Sequence, residues 1–168
     1  MKQLCMQRKA LSLTRSLSIR SGVLGERDIP MPSTGNFNAE EIDRYTDSYA
    51  YYVTDKIETI RKSCPDAVVL VEQRLDFSNY VKDGFGTGDL VIVADDVIQV
   101  IDFKYGKGVA VSAEHNPQMM LYGLGALGLF DAIYDIDTVR MTIYQPRLES
   151  IRHGRFLSLT CGSGWRRN

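Results

Sequence analysis

Residues 86–104 read G-T-G-D-L-V-I-V-A-D-D-V-I-Q-V-I-D-F-K, and they hold the plan of the protein. Two runs rich in β-branched residues, 90–94 and 97–103, are separated by Asp95-Asp96, a two-residue connection that favours an antiparallel hairpin. Strand side chains alternate faces, so Asp102 and Lys104 project from one face while Phe103 points into packing. Asp89 opens the partner strand, and pairing across the turn brings it close to Asp102. One hairpin then offers carboxylate oxygens for Mg²⁺ or Mn²⁺. The Lys104 ammonium beside them can orient or help deprotonate a water and stabilise charge building on a phosphate.

Upstream of this hairpin, Asn38 with Glu41 three residues later forms a capping-box-like start. Ile42, Tyr45, Tyr49, Tyr52, Val53, Ile57 and Ile60 then recur at helical spacing to about Lys62. The tyrosine stripe reads as core packing rather than as a base-stacking platform. Cys64-Pro65-Asp66 breaks the helix, residues 67–77 read as a strand, and residues 79–88 read as a glycine-bearing loop. Downstream, residues 105–114 form a loop, and Asn116-Pro117 places an N-cap and a first-turn proline before a helix running to about Phe130. Within it Gln118 and Tyr122 stand four apart on one face, both able to donate hydrogen bonds near a helix start. Residues 138–144 give a last strand, ended by Pro146. The predicted order is helix, three strands in meander, helix, strand, an α/β core over 38–146. Residues 1–37 are expected to be an irregular lead-in and 147–168 an irregular basic tail.

The chain has 168 residues, 44% hydrophobic and 24% charged, the balance of one globular domain able to hold a core without staples. Its net charge of −1 hides an asymmetry: residues 1–27 hold six Lys/Arg against one acid and residues 147–168 five against one. The middle keeps nine basic and nineteen acidic residues, a balance of −10. Binding nucleic acid through phosphate neutralisation alone needs a basic face, whereas clustered carboxylates suit a hard cation or a solvated acidic surface. The weakly polar run 119–130 is too short for a bilayer span and is punctuated by Gly123, Gly125 and Gly128, so no membrane association is expected. The first 25 residues are basic but lack a continuous apolar segment, which predicts a cytoplasmic protein. Cys5, Cys64 and Cys161 stand far apart, giving neither a disulfide framework nor clustered metal ligands.

G-T-G-D at 86–89, I-D-F-K at 101–104 and Q-x-x-x-Y at 118–122 together resemble the PD-(D/E)xK nuclease superfamily, in particular its RecB-like, prophage-type exonuclease branch. The resemblance implies a restriction-endonuclease-like core, a mixed central sheet whose β-hairpin carries the active site, with flanking helices. It implies a Mg²⁺- or Mn²⁺-dependent deoxyribonuclease, an exonuclease acting in phage or prophage DNA recombination. Asp89 and Asp102 would bind metal, Lys104 would be the catalytic lysine, and Gln118 with Tyr122 would position substrate or water. The implied partners are DNA and a phage recombinase or annealing protein. Glu72, in V-E-Q-R-L, is either an extra acidic ligand or an ordinary outward-facing strand residue.

Some residues have blander readings. G-F-G-T-G precedes a strand rather than a helix, which argues against a dinucleotide fingerprint. His115 reads as a local hydrogen-bonding residue, and the glycines of 123–128 as a means of close helix packing.

RecB-like members carry a metal-binding histidine on an upstream helix in a setting like E-G-T-x-A-H-x-L, and this chain has no histidine before His115. A one-base shift at residues 8–16 permits that peptide, and a shift within 153–167 permits an amphipathic helix start. Both ends are therefore expected to be non-native, frame-shifted sequence. Only Cys5 and Cys161 flank the core, so no iron–sulfur cluster is expected. The rival to an active enzyme is a catalytically silent relative that serves as a DNA-binding or interaction module.

Overall fold

A computed structural model describes residues 39–157. Asn38, Cys5, Cys161, the lead-in 1–37 and residues 158–168 lie outside it. The elements are α1 (Ala39–Ser63), β1 (Val68–Asp76), β2 (Phe85–Ala94), β3 (Val97–Phe103), α2 (Pro117–Phe130), β4 (Thr138–Gln145), a 3-10 turn (Pro146–Leu148) and β5 (Ser150–Leu157). The strands form one five-stranded sheet in the order β1-β2-β3-β4-β5. Every neighbouring pair is antiparallel except β3 and β4, which run parallel across the α2 crossover.

The hairpin forms as its sequence predicts. Ala94 pairs with Val97 around Asp95-Asp96, and Asp95 takes the left-handed conformation (φ 51°) that such a tight connection needs. Residue parity then sorts the sheet into two faces. Tyr49, Ala50, Val53 and Ile57 of α1 pack on Leu90, Ile92, Ile101, Phe103 and Tyr144. Met119, Ala126 and Leu127 of α2 pack on Val91, Val93, Ile98, Val100, Val139, Met141 and Ile143. The tyrosine stripe of α1 is thus core. Tyr49 is fully buried, edge-on to Phe103 at 5.0 Å and to Tyr144 at 5.4 Å.

Two expectations are corrected. Residues 85–88, placed in a loop, extend β2, with Gly86 paired to Leu75 and Gly88 to Gln73. Residues 147–157, placed in an irregular tail, instead form the 3-10 turn and β5, which lies along the whole of β4. β5 is an edge strand with mostly exposed side chains, so its sequence carries no apolar face by which to announce it.

The β1/β2 ladder is interrupted between Val71↔Leu90 and Gln73↔Gly88, where Glu72 stands across from Asp89. Glu72 has φ 52°, a left-handed conformation that costs a non-glycine residue about 1 kcal/mol. Side-chain alternation slips by one at this point. Leu70 and Leu75, an odd number apart, both pack into the α2-side core, while Val69 and Val71 face α1.

Candidate functional site

The site sits on the α2 side of the hairpin, at the ends of β2 and β3. Asp89 and Asp102 are only 5% and 4% exposed, a costly position for two carboxylates that the local geometry has to offset. The Phe103 N–H donates to Asp89 Oδ2 at 2.6 Å, which fixes the Asp89 side chain against the neighbouring strand. Lys104 Nζ lies 2.9 Å from Asp102 Oδ2 and donates to Gln118 Oε1 at 2.9 Å. Gln118 Nε2 in turn donates to Tyr122 Oη at 2.9 Å. Asp102, Lys104, Gln118 and Tyr122 therefore form one continuous polar chain from the strand end to the first turns of α2.

Local structure explains each placement. The Lys104 N–H bonds to the Tyr144 carbonyl at 2.8 Å, so the lysine continues the sheet beyond the last ladder residue. Asn116 caps α2 by accepting from the Met119 N–H at 3.1 Å, and Pro117 supplies its first residue. This cap sets the rotation that aims Gln118 and Tyr122 at the hairpin. Gly86 admits the tyrosine: a Cβ there would lie 2.5 Å from Tyr122 Cε1. Gly88 similarly makes room for Leu75, whose Cδ1 would be 2.9 Å from a Cβ. The glycines of G-T-G-D are packing clearances that let α2 close over the acids.

A cavity of about 730 Å³ opens over these groups. Asp89, Asp102, Lys104, Gln118 and Tyr122 all line it, so five of the six residues singled out in the sequence come together. Glu72 does not line it. Among the described residues no group of three or more His, Cys, Asp or Glu side chains is placed to hold a metal ion.

Other lining residues had no sequence signal. Gln145, 3% exposed at the end of β4, accepts from the Val111 N–H at 2.7 Å and so pins the loop that forms the cavity's outer wall. Tyr105 forms part of that wall; the Arg147 guanidinium lies over its ring at 4.8 Å and is paired with Glu41 of α1 at 3.2 Å. These are long-range contacts between isolated polar residues, without periodicity to flag them.

Tyr49 is a different omission. Burial pushes its hydroxyl well above the ordinary tyrosine range, and the charges of Asp89, Asp102 and Glu72 push it further. The hydroxyl oxygen has no hydrogen-bond partner among the described residues. Its helical spacing identified it as core, which is correct for the ring and silent about the hydroxyl.

His115 is 89% exposed, 3.9 Å from Glu114, and is placed by its left-handed backbone (φ 55°) rather than by a ligand. Cys64 is buried and free; burial, followed by its contact with Asp66, raises its thiol pKa. Gly123 and Gly125 pack closely as expected, against Val139 with Phe156 and against Leu75 with Asp76. Gly128 faces open space.

Fold and site together define a mixed α/β protein with a polar cavity built on a β-hairpin and closed by the following helix. The chain belongs to the family described as protein of unknown function (DUF2800), whose model matches residues 6–157. No solved structure matches it. No helix among the described residues is long and apolar enough to cross a membrane.

Proposed function

We propose that this protein is a divalent-metal-dependent deoxyribonuclease with a restriction-endonuclease-like core of the PD-(D/E)xK kind. The observation that carries the reading is the polar chain Asp102–Lys104–Gln118–Tyr122 beside buried Asp89, in one cavity. Two carboxylates on one face are a donor set suited to Mg²⁺ or Mn²⁺, which keep several waters and need only one or two protein carboxylates. When bound, such a cation would supply Lewis acidity and a lowered water pKa.

The chain's own residues do the rest. Asp89, fixed by the Phe103 N–H, and Asp102, fixed by Lys104, present oxygens that need little reorganisation. Lys104 holds its ammonium where negative charge develops on the phosphoryl oxygens as water attacks and the ester oxygen leaves. Gln118 orients that ammonium and is itself oriented by Tyr122. Lys107 at the cavity wall suits a flanking backbone phosphate. The cellular setting consistent with this chemistry is cytoplasmic phage or prophage recombination, with a recombinase or annealing protein as partner.

End-labelled linear single- and double-stranded DNA incubated with the purified chain in Mn²⁺ tests the proposal. Digestion should be abolished by EDTA and fall by about 100-fold or more in Lys104→Ala while the circular dichroism spectrum is unchanged. Retained cleavage in that variant overturns the assignment. The rival, a silent relative, is favoured by the lack of any histidine before His115. It is distinguished by metal: a live site gains thermal stability with Mn²⁺ and loses that gain in Asp89→Asn, whereas a silent one shows no gain.

A further inference from the structure

We propose that the groove between α1 and the β4–β5 edge, on the opposite face of the sheet from the candidate nuclease site, is a binding site for phosphate groups. The groove encloses about 450 Å³. Arg140 on β4 stands directly across the ladder from Arg155 on β5, and Lys56 of α1 joins the same lining. Like charges directly opposite on adjacent strands are destabilising. Among the described residues none of these three cations takes part in an ion pair. Among the described residues Glu114 is the one acid in the lining, and its side chain is 69% exposed and lies 3.9 Å from His115. The arrangement therefore holds three converging positive charges against a single solvated negative one.

The floor is polar where a sheet face is ordinarily apolar. Gln99 on β3 and Thr142 on β4 are 7% and 1% exposed, on the face that otherwise carries Ile101, Phe103 and Tyr144. Thr142 Oγ1 is bonded to His153 Nδ1 at 3.1 Å, and with the hydroxyl as donor the other imidazole nitrogen keeps its N–H for a ligand. Burial and then the charge of Lys56 hold the His153 pKa below its usual value, in keeping with a neutral ring close to that ammonium.

Two guanidinium forks, an ammonium and the free imidazole N–H form a donor-rich set matching the tetrahedral oxygens of phosphate, which guanidinium groups engage bidentately. The phosphate can come from a free nucleotide or from a nucleic-acid backbone, since both present the same oxygens. Parity places Gln99 and Thr142 on the α1 side and Asp102 and Lys104 on the α2 side. The groove is thus independent of the proposed catalytic function.

The test uses the full chain, Lys104→Ala, and the double variant Arg140→Gln/Arg155→Gln. Thermal midpoints are measured with pyrophosphate and with a deoxynucleoside 5′-monophosphate, and anisotropy with a labelled single strand of about 12 nucleotides lacking a terminal phosphate. The double variant should weaken binding about tenfold or more, and by the same factor when it is made in the Lys104→Ala background, which removes any contribution of the candidate nuclease site. Saturable stabilisation by the small ligands identifies a free nucleotide. Strand binding whose salt slope falls by about 1.4 in the double variant identifies the backbone. Either result supports the site. Equal binding of all three probes by wild type and double variant, or no saturable binding of any, overturns it. Loss of cleavage without loss of phosphate binding bears on the nuclease reading alone.

Discussion

At the scale of single residues, the candidate site depends on a carboxylate doing two jobs. Asp89 faces the cavity, yet its Oδ2 also accepts from the Phe103 main chain within the sheet. Asp89→Ala removes that acceptor and should cost about 1–3 kcal/mol in urea unfolding. Asp89→Asn keeps an acceptor and should unfold close to wild type while losing Mn²⁺ stabilisation. If the two variants unfold alike, the bond to Phe103 is not structural. Asp76 offers a pH test at the same scale. Its pKa lies below the ordinary 3.8 because the Ser78 side chain and N–H both hydrogen-bond to it. A depressed folded value favours the native state above the unfolded pKa and loses that contribution as pH falls through the folded one. Acid unfolding of Asp76→Asn should accordingly begin from a lower plateau and show a shallower loss below about pH 4.

At the scale of elements, α2 shows how much a short signal can specify. Asn116-Pro117 marked the helix start to the residue, and the Asn116 cap is present. Asn116→Ala should cost about 1 kcal/mol in thermal or urea unfolding. The same substitution should reduce cleavage, because the cap also orients Gln118. The hairpin was equally legible, since Asp95-Asp96 between two β-branched runs leaves little choice of register. Residues 85–88 were not. Gly86 and Gly88 look like loop residues by composition, and only the approach of Tyr122 and Leu75 explains why glycine is needed in a strand there. β5 was missed for a related reason: Arg140 opposite Arg155 and Thr142 opposite His153 are polar pairings, readable only once β4 is known to lie beside them. Asp102, Lys104, Gln118 and Tyr122 could be assembled beforehand because strand parity and helical spacing act locally. Gln145 and Arg147 reach the site through tertiary contacts that no local rule encodes.

At the scale of the whole molecule, the sheet separates α1 from α2 among the described residues, with the candidate-site cavity on the α2 side and the Arg140–Arg155 groove on the α1 side. The outer loop before α2 is held from both ends. Gln145 bonds it at Val111, and Gly154 of β5 lies so close that a Cβ would be 2.8 Å from the backbone of Ala113 and Glu114. Backbone cannot swing aside as a flexible side chain can, so Gly154→Ala should destabilise by about 1–3 kcal/mol in chemical denaturation. It should also displace the loop wall of the candidate site. Wild-type stability in that variant would mean that β5 and the loop are not in contact.

The parallel joint between β3 and β4 has a consequence in time as well as in space. Asp89 and Asp102 are partners within one hairpin, and the Phe103 bond to Asp89 spans only 14 positions of chain. Gln145 and Arg147 arrive from beyond the crossover helix. Short-range pairings form sooner than those that must first close a long loop. Contact order therefore predicts that the carboxylates are set before the cavity wall, an order that φ-value analysis at Leu90 and Gln145 would check. A folding intermediate of this protein would carry its acidic residues already in register, before any enclosure around them exists.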